Sequence, residues 1–536
     1  MTWAGSMSPP VDVSFEPQIA PPWVVHVRAG GLYGQTVNRE YPIRIQDPGQ
    51  AGAIRSFAAA MSKDTSIVAW IEQEGEGNRL MVKALLPEGP SQTWTHLASG
   101  VASTNVRIVT DPGGRTYILD ASLGEKGDVH ITAWDGPGKK VERVALDTSG
   151  MPSISAFTAV IIKERLHLFM VSTVDERVDV IDLVYQLASF ERESLARAAE
   201  ADRVVFLKSI VIGQEPALMY KDQRGGVLGL SFAIKSISGW SSLPITDVQG
   251  LDVARTAEGA WADGALLVAL SAEDKGSYKQ RIFTAKSRDH GQTWDFGRID
   301  TPEGASTRAW LPDLTVDGDL VGVVWEDYRN IRPSVRMQLS RDRGATWLAR
   351  DIEVSDRRNL AIRPRVMAHA GNLYVAWYQY RTDARKEADA MLIRMDWDEA
   401  LARATGAEMP DNPEEKDRLL KEAVADYWNA MLKGDLERAY QLHDPFFKAR
   451  MPFDAFAAQR GKFNYHSHQI QGLQIDGNVA RVQSTTSFEI PKLIIMGREQ
   501  AVPRRDFAID DTWLYVDGGW YRQYVDAVSG GSAIVY

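Results

Sequence analysis

The sequence predicts a mainly β fold: a seven-bladed β-propeller followed by a small α+β domain. Three observations predict it. A short apolar segment recurs about every fifty residues, an octapeptide is written twice, and the apolar period changes after residue 400. At 536 residues the chain exceeds a single compact core, so at least two domains are expected. Charged residues at 25 % and hydrophobic residues at 44 % are those of an ordinary soluble protein. With 61 Lys and Arg against 71 Asp and Glu, the net charge of -10 gives no basic footprint for a nucleic-acid backbone or anionic lipid, and no nucleic-acid partner is expected. Sixteen tryptophans suit a β fold that repeats an aromatic plug, and the lack of cysteine excludes disulfides, thiolate metal sites and a cysteine nucleophile. The redox compartment is left open by the same fact.

Residues 1–22 are Pro-rich, with Pro9-Pro10 and Pro21-Pro22, and read as an extended arm. The first six residues have neither a basic nor an apolar region, so a signal peptide was removed or never existed. No apolar stretch is long enough to span a bilayer.

The repeat occupies residues 23–403. Its marker is a short apolar strand: Ile67–Trp70, Tyr117–Asp120, Leu168–Val171, Ala217–Tyr220, Leu267–Leu270, Gly322–Trp325 and Tyr374–Trp377. The terminal positions step by 50, 51, 49, 50, 55 and 52 residues, the spacing of four-stranded propeller blades. Seven markers count seven blades. Degenerate turns at Pro90–Trp94 and Ser238–Trp240 fall at the offsets expected of an outer hairpin. Leu183–Glu200 has helical propensity, but register assigns it to the outer strands of the third unit. The seventh unit is short of an outer strand. A strand at Trp23–Val27 or at Tyr41–Ile45 is expected to pair with that blade and close the ring, removing its exposed edge.

The octapeptide Ser287-Arg288-Asp289-His290-Gly291-Gln292-Thr293-Trp294 returns as Ser340-Arg341-Asp342-Arg343-Gly344-Ala345-Thr346-Trp347. Each shared residue has a mechanical task in a tight hairpin. The Asp carboxylate accepts from turn N–H groups, Gly takes positive φ, and Trp covers the hairpin with apolar area. Ser287, Asp289, Gly291 and Trp294, with Ser340, Asp342, Gly344 and Trp347, are therefore read as structural. The motif resembles the Asp box of the sialidase-like (BNR) β-propellers. That resemblance implies a box joining the two outer strands of a blade, on the face away from the substrate.

Residues 404–415, with Pro410, Asn412 and Pro413, read as a linker. Over residues 416–536 the order is helices first and strands after. Lys416–Lys433 is periodic through Leu420, Val424, Tyr427 and Trp428, with Gly434 as a stop. Helices near 436–442 and 453–461 follow, then strands over 463–475, 479–489, 507–516 and 520–525. Element order and the Leu514–Tyr521 hairpin resemble the cystatin-like cone domain of the nuclear transport factor and SnoaL group.

Propellers bind ligands through loops at the channel mouth, and the loops after the sixth and seventh markers are chemically richest. They carry Glu326, Asp327, Tyr328 and Arg329, and Tyr378, Tyr380 and Arg381, a mixture of carboxylate, phenol and guanidinium. Asp327, Glu326 and Tyr378 are the catalytic candidates, with Asp222 a further acid. Arg329, Arg381, Tyr328, Tyr380, Arg308 and Arg363 are the ligand-binding candidates, with Arg365 nearby in sequence. The same inventory also describes a solvated loop. The sialidase resemblance implies an arginine triad, a Tyr–Glu nucleophile and an Asp acid/base. The family's Phe-Arg-Ile-Pro signature is missing here, and seven units depart from its six blades. His466 and His468 alternate on a strand near His443, but no third ligand follows at a fitting spacing, so no metal is expected. No phosphate loop, nucleophile elbow or dinucleotide fingerprint occurs, and no cofactor is expected.

These features point to a non-catalytic binding or scaffold protein. It uses the propeller loop face and the cone domain to bind protein or glycan, with a protein partner or a second copy expected. The alternative is an exported sialidase-like glycoside hydrolase. The propeller resemblance implies export to the periplasm or cell exterior, with a cytoplasmic location as the other option.

Overall fold

The computed structural model describes residues 23–524 apart from 29–30, 37–41, 47–51, 63–64, 87–88, 126, 138, 140, 175–176, 225–226, 246–250, 275–279, 302–307, 357, 381–382, 384–387, 404–411, 461 and 496–497. The arm expected over 1–22 and most of the linker lie outside that set. The fold is mainly β.

From Ile54 to Asp396 the chain builds consecutive antiparallel sheets. Among the described residues six have four strands, the last, from Leu360 to Asp396, has three, and Gly124–Glu125 pairs with Ser153–Ile154 as a separate two-stranded sheet. All seven markers fall in the second strand of a sheet, as Ile67–Trp70 does in Thr65–Glu74 and Tyr374–Trp377 in Asn372–Tyr380. The second strand is buried on both faces, so its sequence is a continuous apolar run rather than an alternation. First strands of successive sheets lie side by side. Leu183–Glu200 forms strands Arg177–Gln186 and Arg192–Ala201, because apolar burial on both sheet faces overrides local helix propensity.

Core packing runs in a cycle. Apolar clusters join the first sheet to the second through Ile71 and Ile118, and the second to the third through Leu119 and Phe157. They continue through Val171 and Leu218, Met219 and Val268, Leu267 and Val323, and Val324 and Val375. The cycle is completed by an N-terminal sheet of strands Val24–Arg28, Gly31–Gln35 and Ile43–Arg44. Trp23, Val25 and Val27 pack on Phe57 and Trp70 of the first sheet, and Val24 packs on Ala376 and Tyr378 of the seventh.

This corrects the expected closure. Val24–Arg28 takes Gly31–Gln35 as its ladder partner, with Val25 opposite Gly34, and does not add to the seventh sheet. Its apolar residues fall on both faces, so it works as a wedge between two sheets rather than as an added edge strand.

Both octapeptides form the turn between the third and fourth strands of their sheets. Asp289 Oδ1 accepts from Thr293 N at 2.9 Å and from Ser287 Oγ at 2.8 Å, while Gly291 N donates to Ser287 Oγ at 2.8 Å. Asp342, Thr346, Ser340 and Gly344 repeat this set at 2.7, 2.8 and 2.8 Å. Gly291 has φ +86° and a Cβ there would stand 2.5 Å from Phe232, so two independent demands select glycine.

The last strand of the seventh sheet leads into helix Trp397–Arg403. The C-terminal domain opens with helix Pro413–Lys433, starting inside the segment expected to be linker. Asn412 caps it by accepting from Glu415 N, and Gly434 ends it at φ +71°. Three short helices follow, then a four-stranded antiparallel sheet of Asn464–Asp476, Val479–Ile495, Arg498–Val516 and Gly519–Arg522. Leu420, Val424, Trp428, Phe456, Val482 and Trp513 pack between helices and sheet. The second and third strands are longer than expected, since Pro491 and Pro503 interrupt the sequence pattern without ending the ladder.

Candidate functional site

The sixth marker strand ends in Glu326-Asp327, and the chain turns through residues 328–333 before strand Ser334–Ser340. This loop lies at the opposite strand end from the octapeptide turn at 340–347. Glu326 is 2 % exposed and its carboxylate is fully used. Oε1 accepts from Trp310 Nε1 at 3.0 Å and from the Tyr328 hydroxyl, and Oε2 accepts from Arg363 N at 2.9 Å. The last bond holds a bulge in the neighbouring sheet, where Arg363 sits at φ +54° ahead of Pro364. Leu311 repeats that conformation at φ +52° before Pro312 in the preceding sheet.

Asp327 is also 2 % exposed. Its oxygens accept from Arg329 N and Nε at 2.9 Å, Arg329 Nη2 at 2.8 Å and Trp325 Nε1 at 3.0 Å. Burial pushes its carboxyl up, but the Arg329 and Arg336 charges with these donors outweigh it and hold the group at about 2. Arg329 Nη2 reaches Asp351 Oδ2 at 2.7 Å, and Asp351 Oδ1 accepts from Arg336 Nη1 at 2.9 Å. Charges therefore alternate through Asp327, Arg329, Asp351 and Arg336 in a buried chain. Burial lowers the basicity of Arg329, and the two flanking carboxylates raise it further still.

The other candidates surround this frame unevenly. The Arg308 guanidinium lies 4.1 Å above the Trp310 ring and 4.8 Å above Tyr328. Tyr378 is buried against His26 of the N-terminal sheet, ring centroids 6.3 Å apart, and burial pushes its phenol up to about 12. Asp222 accepts from Ser231 Oγ at 3.2 Å within the fourth sheet. Arg365 Nη1 donates to the Pro364 carbonyl at 3.5 Å. Arg381 lies outside the described residues.

Residues that the sequence did not single out do the work between domains. Arg332 Nη1 is 2.7 Å from both Asp517 oxygens, and Nε and Nη2 are 3.0 Å from Asp383. Asn478 Nδ2 donates to the Arg329 carbonyl at 2.6 Å. Beneath these polar contacts Ile331 and Leu360 pack against Phe446, Leu514 and Val516, with Tyr380 and Tyr521 at the margin. The C-terminal domain thus sits on the loop face of the sixth and seventh sheets. Arg332 follows Arg329 by three residues in the same loop, but its two partners come from distant segments and leave no local signal.

The histidines serve separate structures. His466 faces Glu489 at 3.6 Å, and His468 stacks on Trp428 at 4.3 Å, where burial lowers it to about 4. His443 Nδ1 lies 3.1 Å from the Arg522 carbonyl, and burial drives it well below the usual range. Among the described residues, no group of three or more His, Asp and Glu is placed to hold a metal. No helix among them is long and apolar enough to cross a membrane.

No protein-family model matches the sequence, and no curated protein matches it. The chain is similar to solved β structures at low identity. An ulvan lyase, a polysaccharide lyase, is 12 % identical over 68 % of this chain and 98 % of its own, with a TM-score of 0.43. The β-propeller domain of the Trilobed protease from Pyrococcus furiosus is 7 % identical over 63 % and 93 %, with a TM-score of 0.38. A sialidase from Streptococcus pneumoniae is 11 % identical over 66 % and 70 %, with a TM-score of 0.33.

Proposed function

We propose that the protein is a non-catalytic binding or scaffold protein. Its ring is an Asp-box β-propeller of seven repeat blades closed by the N-terminal sheet, and its C-terminal domain is a cone of the SnoaL-like kind. The loop face takes up a glycan or a protein, and the C-terminal domain takes up a partner. In this reading the protein works outside the cytoplasm.

The single observation that supports the reading is the state of Glu326 and Asp327. A general acid needs a carboxyl that holds a proton near the working pH, and Asp327 is held at about 2. A nucleophilic carboxylate needs a free oxygen facing substrate. Here four contacts from Arg329 and Trp325 occupy Asp327, and three donors occupy Glu326. Tyr378, pushed up to about 12 and covered by the N-terminal sheet, is equally unsuited to attack. Arg308 and Arg363 remain as the ligand-binding candidates, while Tyr328 and Arg329 belong to the frame and Tyr380 packs at the margin of the contact with the C-terminal domain.

Arrays of neutral and acidic glycans, probed with the whole chain, test this reading, with a pull-down for protein partners beside them. Saturable binding that weakens in an Arg308→Ala/Arg363→Ala variant of unchanged thermal stability is the expected result. No retained glycan or protein, or release of aglycone from aryl-glycosides in place of retention, overturns it in favour of the hydrolase.

A further inference from the structure

Among the described residues the C-terminal sheet has two edges without a covering strand, and they differ. Strand Asn464–Asp476 carries register breaks at Tyr465/Ser467 and Ile470/Gly472, irregularities that blunt an edge against pairing. Strand Arg498–Val516 runs without a break from Arg505, opposite Phe488, to Leu514, opposite Val479. On its far side, strand Gly519–Arg522 covers only residues 513–516, and the Gln523 N–H adds one bond to the Thr512 carbonyl at 2.8 Å. Among the described residues, 504–511 have no ladder partner on that side.

The direction of the free groups follows from two bonds. Thr512 O points to the Gly519–Arg522 side, whereas Tyr515 N–H points to Asn478 O on the other. In an antiparallel ladder both polar groups of a residue face one side and alternate along the strand. Asp506, Ala508 and Asp510 therefore present theirs to this edge, Arg504 adjoins them at the register break with Nε donating to Ser487 Oγ at 3.3 Å, and all four side chains are exposed. Pro503 lies in that break, outside the regular run from Arg505 to Leu514, so its missing N–H leaves that run intact.

We propose that this edge pairs antiparallel with the same edge of a second copy of the chain. A two-fold axis normal to the sheet at Phe507 brings residues of one parity together. It sets Arg504 opposite Asp510 of the partner subunit, and Asp506 opposite Ala508 of the partner subunit. Symmetry repeats both pairs, and no like charges meet. Arg504 at one end and Asp510 at the other is the order that antiparallel self-pairing requires. The regular window is bounded by the register break between Val502 and Arg505 at one end and by Gly519–Arg522 taking over the edge at the other. The inference deepens the proposed function, since it rests on assigning the C-terminal domain to interaction and names its partner.

Sedimentation velocity of the full chain over a wide concentration range tests it. A ladder of this length falls below the class of interface that buries roughly 1,200 Å², so association belongs in the micromolar range or weaker. The expected result is a monomer–dimer equilibrium. Ala508→Pro, at an N–H facing an edge without a ladder partner among the described residues, abolishes the dimer with an unchanged melting curve. Arg504→Asp and Asp510→Arg each weaken association roughly tenfold, and the double swap restores it. A chain monomeric at every concentration overturns the inference, as does a dimer that ignores Ala508→Pro or a double swap without recovery. Glycan retention by such a monomer would leave the proposed function standing while the dimer falls.

Discussion

Arg332 and Asp517, 185 residues apart, meet with Arg332 Nη1 at 2.7 Å from both carboxylate oxygens, and this pair joins the C-terminal domain to the ring. The same guanidinium holds Asp383 of the seventh-sheet loop with its other nitrogens. One planar fork thus spans two loops and two domains, a geometry that lysine cannot reproduce.

Arg332→Ala removes this fork and leaves Asp383 and Asp517 without it. The expected cost is about 2–4 kcal/mol, the lower part of that range applying because the Asp517 side chain is 57 % exposed. Small-angle scattering reads the outcome: a larger radius of gyration for Arg332→Ala, and a smaller change for Asp517→Asn. A scattering curve identical to wild type would mean that the apolar patch around Ile331 and Phe446 holds the domains without the fork.

Asp351 stands between two arginines at 2.7 Å and 2.9 Å. Its replacement by Asn leaves Arg329 and Arg336 buried with too little negative charge, at a cost of about 3–5 kcal/mol. Calorimetry is expected to show the melting temperature falling on the order of 10 °C. A drop no larger than that of an exposed Asp→Asn control would dissolve the idea of a charge frame.

Asp289 and Asp342 are each held at about 2 by hydrogen bonds from Thr293 and Thr346. The sign follows from linkage. A carboxyl lowered on folding adds stability above its unfolded value of 3.8, and loses it as pH falls through about 2. Wild type is therefore expected to melt above an Asp289→Asn/Asp342→Asn variant at neutral pH. The gap closes between pH 4 and 2. A gap independent of pH over that window would assign the turns' stability to other contacts.

The repeat was legible because each marker is a strand buried on both sides, and its apolar run carries the period of the fold. The paired octapeptides were legible for a similar reason, since Ser, Asp, Gly and Thr each fill a fixed place in one turn. Closure was not. Trp23, Val24, Val25 and Val27 read equally as an added edge strand or as a wedge, and only the cores at Trp70 and Tyr378 decide. Nor was the site legible as arranged. The loop composition marked Glu326 and Asp327 as reactive, but Asp351, Arg336 and Trp310, which occupy or surround them, come from other strands and loops.

Deleting residues 23–46 tests the wedge. Phe57 and Trp70 on one sheet and Ala376 and Tyr378 on another then face water, and the apolar surface exposed is of the kind that drives association. The truncated chain is expected to pass into soluble aggregates while the full chain remains dispersed. A dispersed truncation with unchanged melting would remove the N-terminal sheet from the ring.

The central claim is that the carboxylates beside the loop face build the frame and carry out no chemistry. Turnover of a panel of sialosides and other aryl-glycosides by wild type and by Asp327→Asn tests it most directly, with both melting curves recorded. The account predicts no turnover by either protein and a lowered melting temperature for Asp327→Asn. Turnover by wild type that disappears in an Asp327→Asn variant of unchanged stability would contradict it.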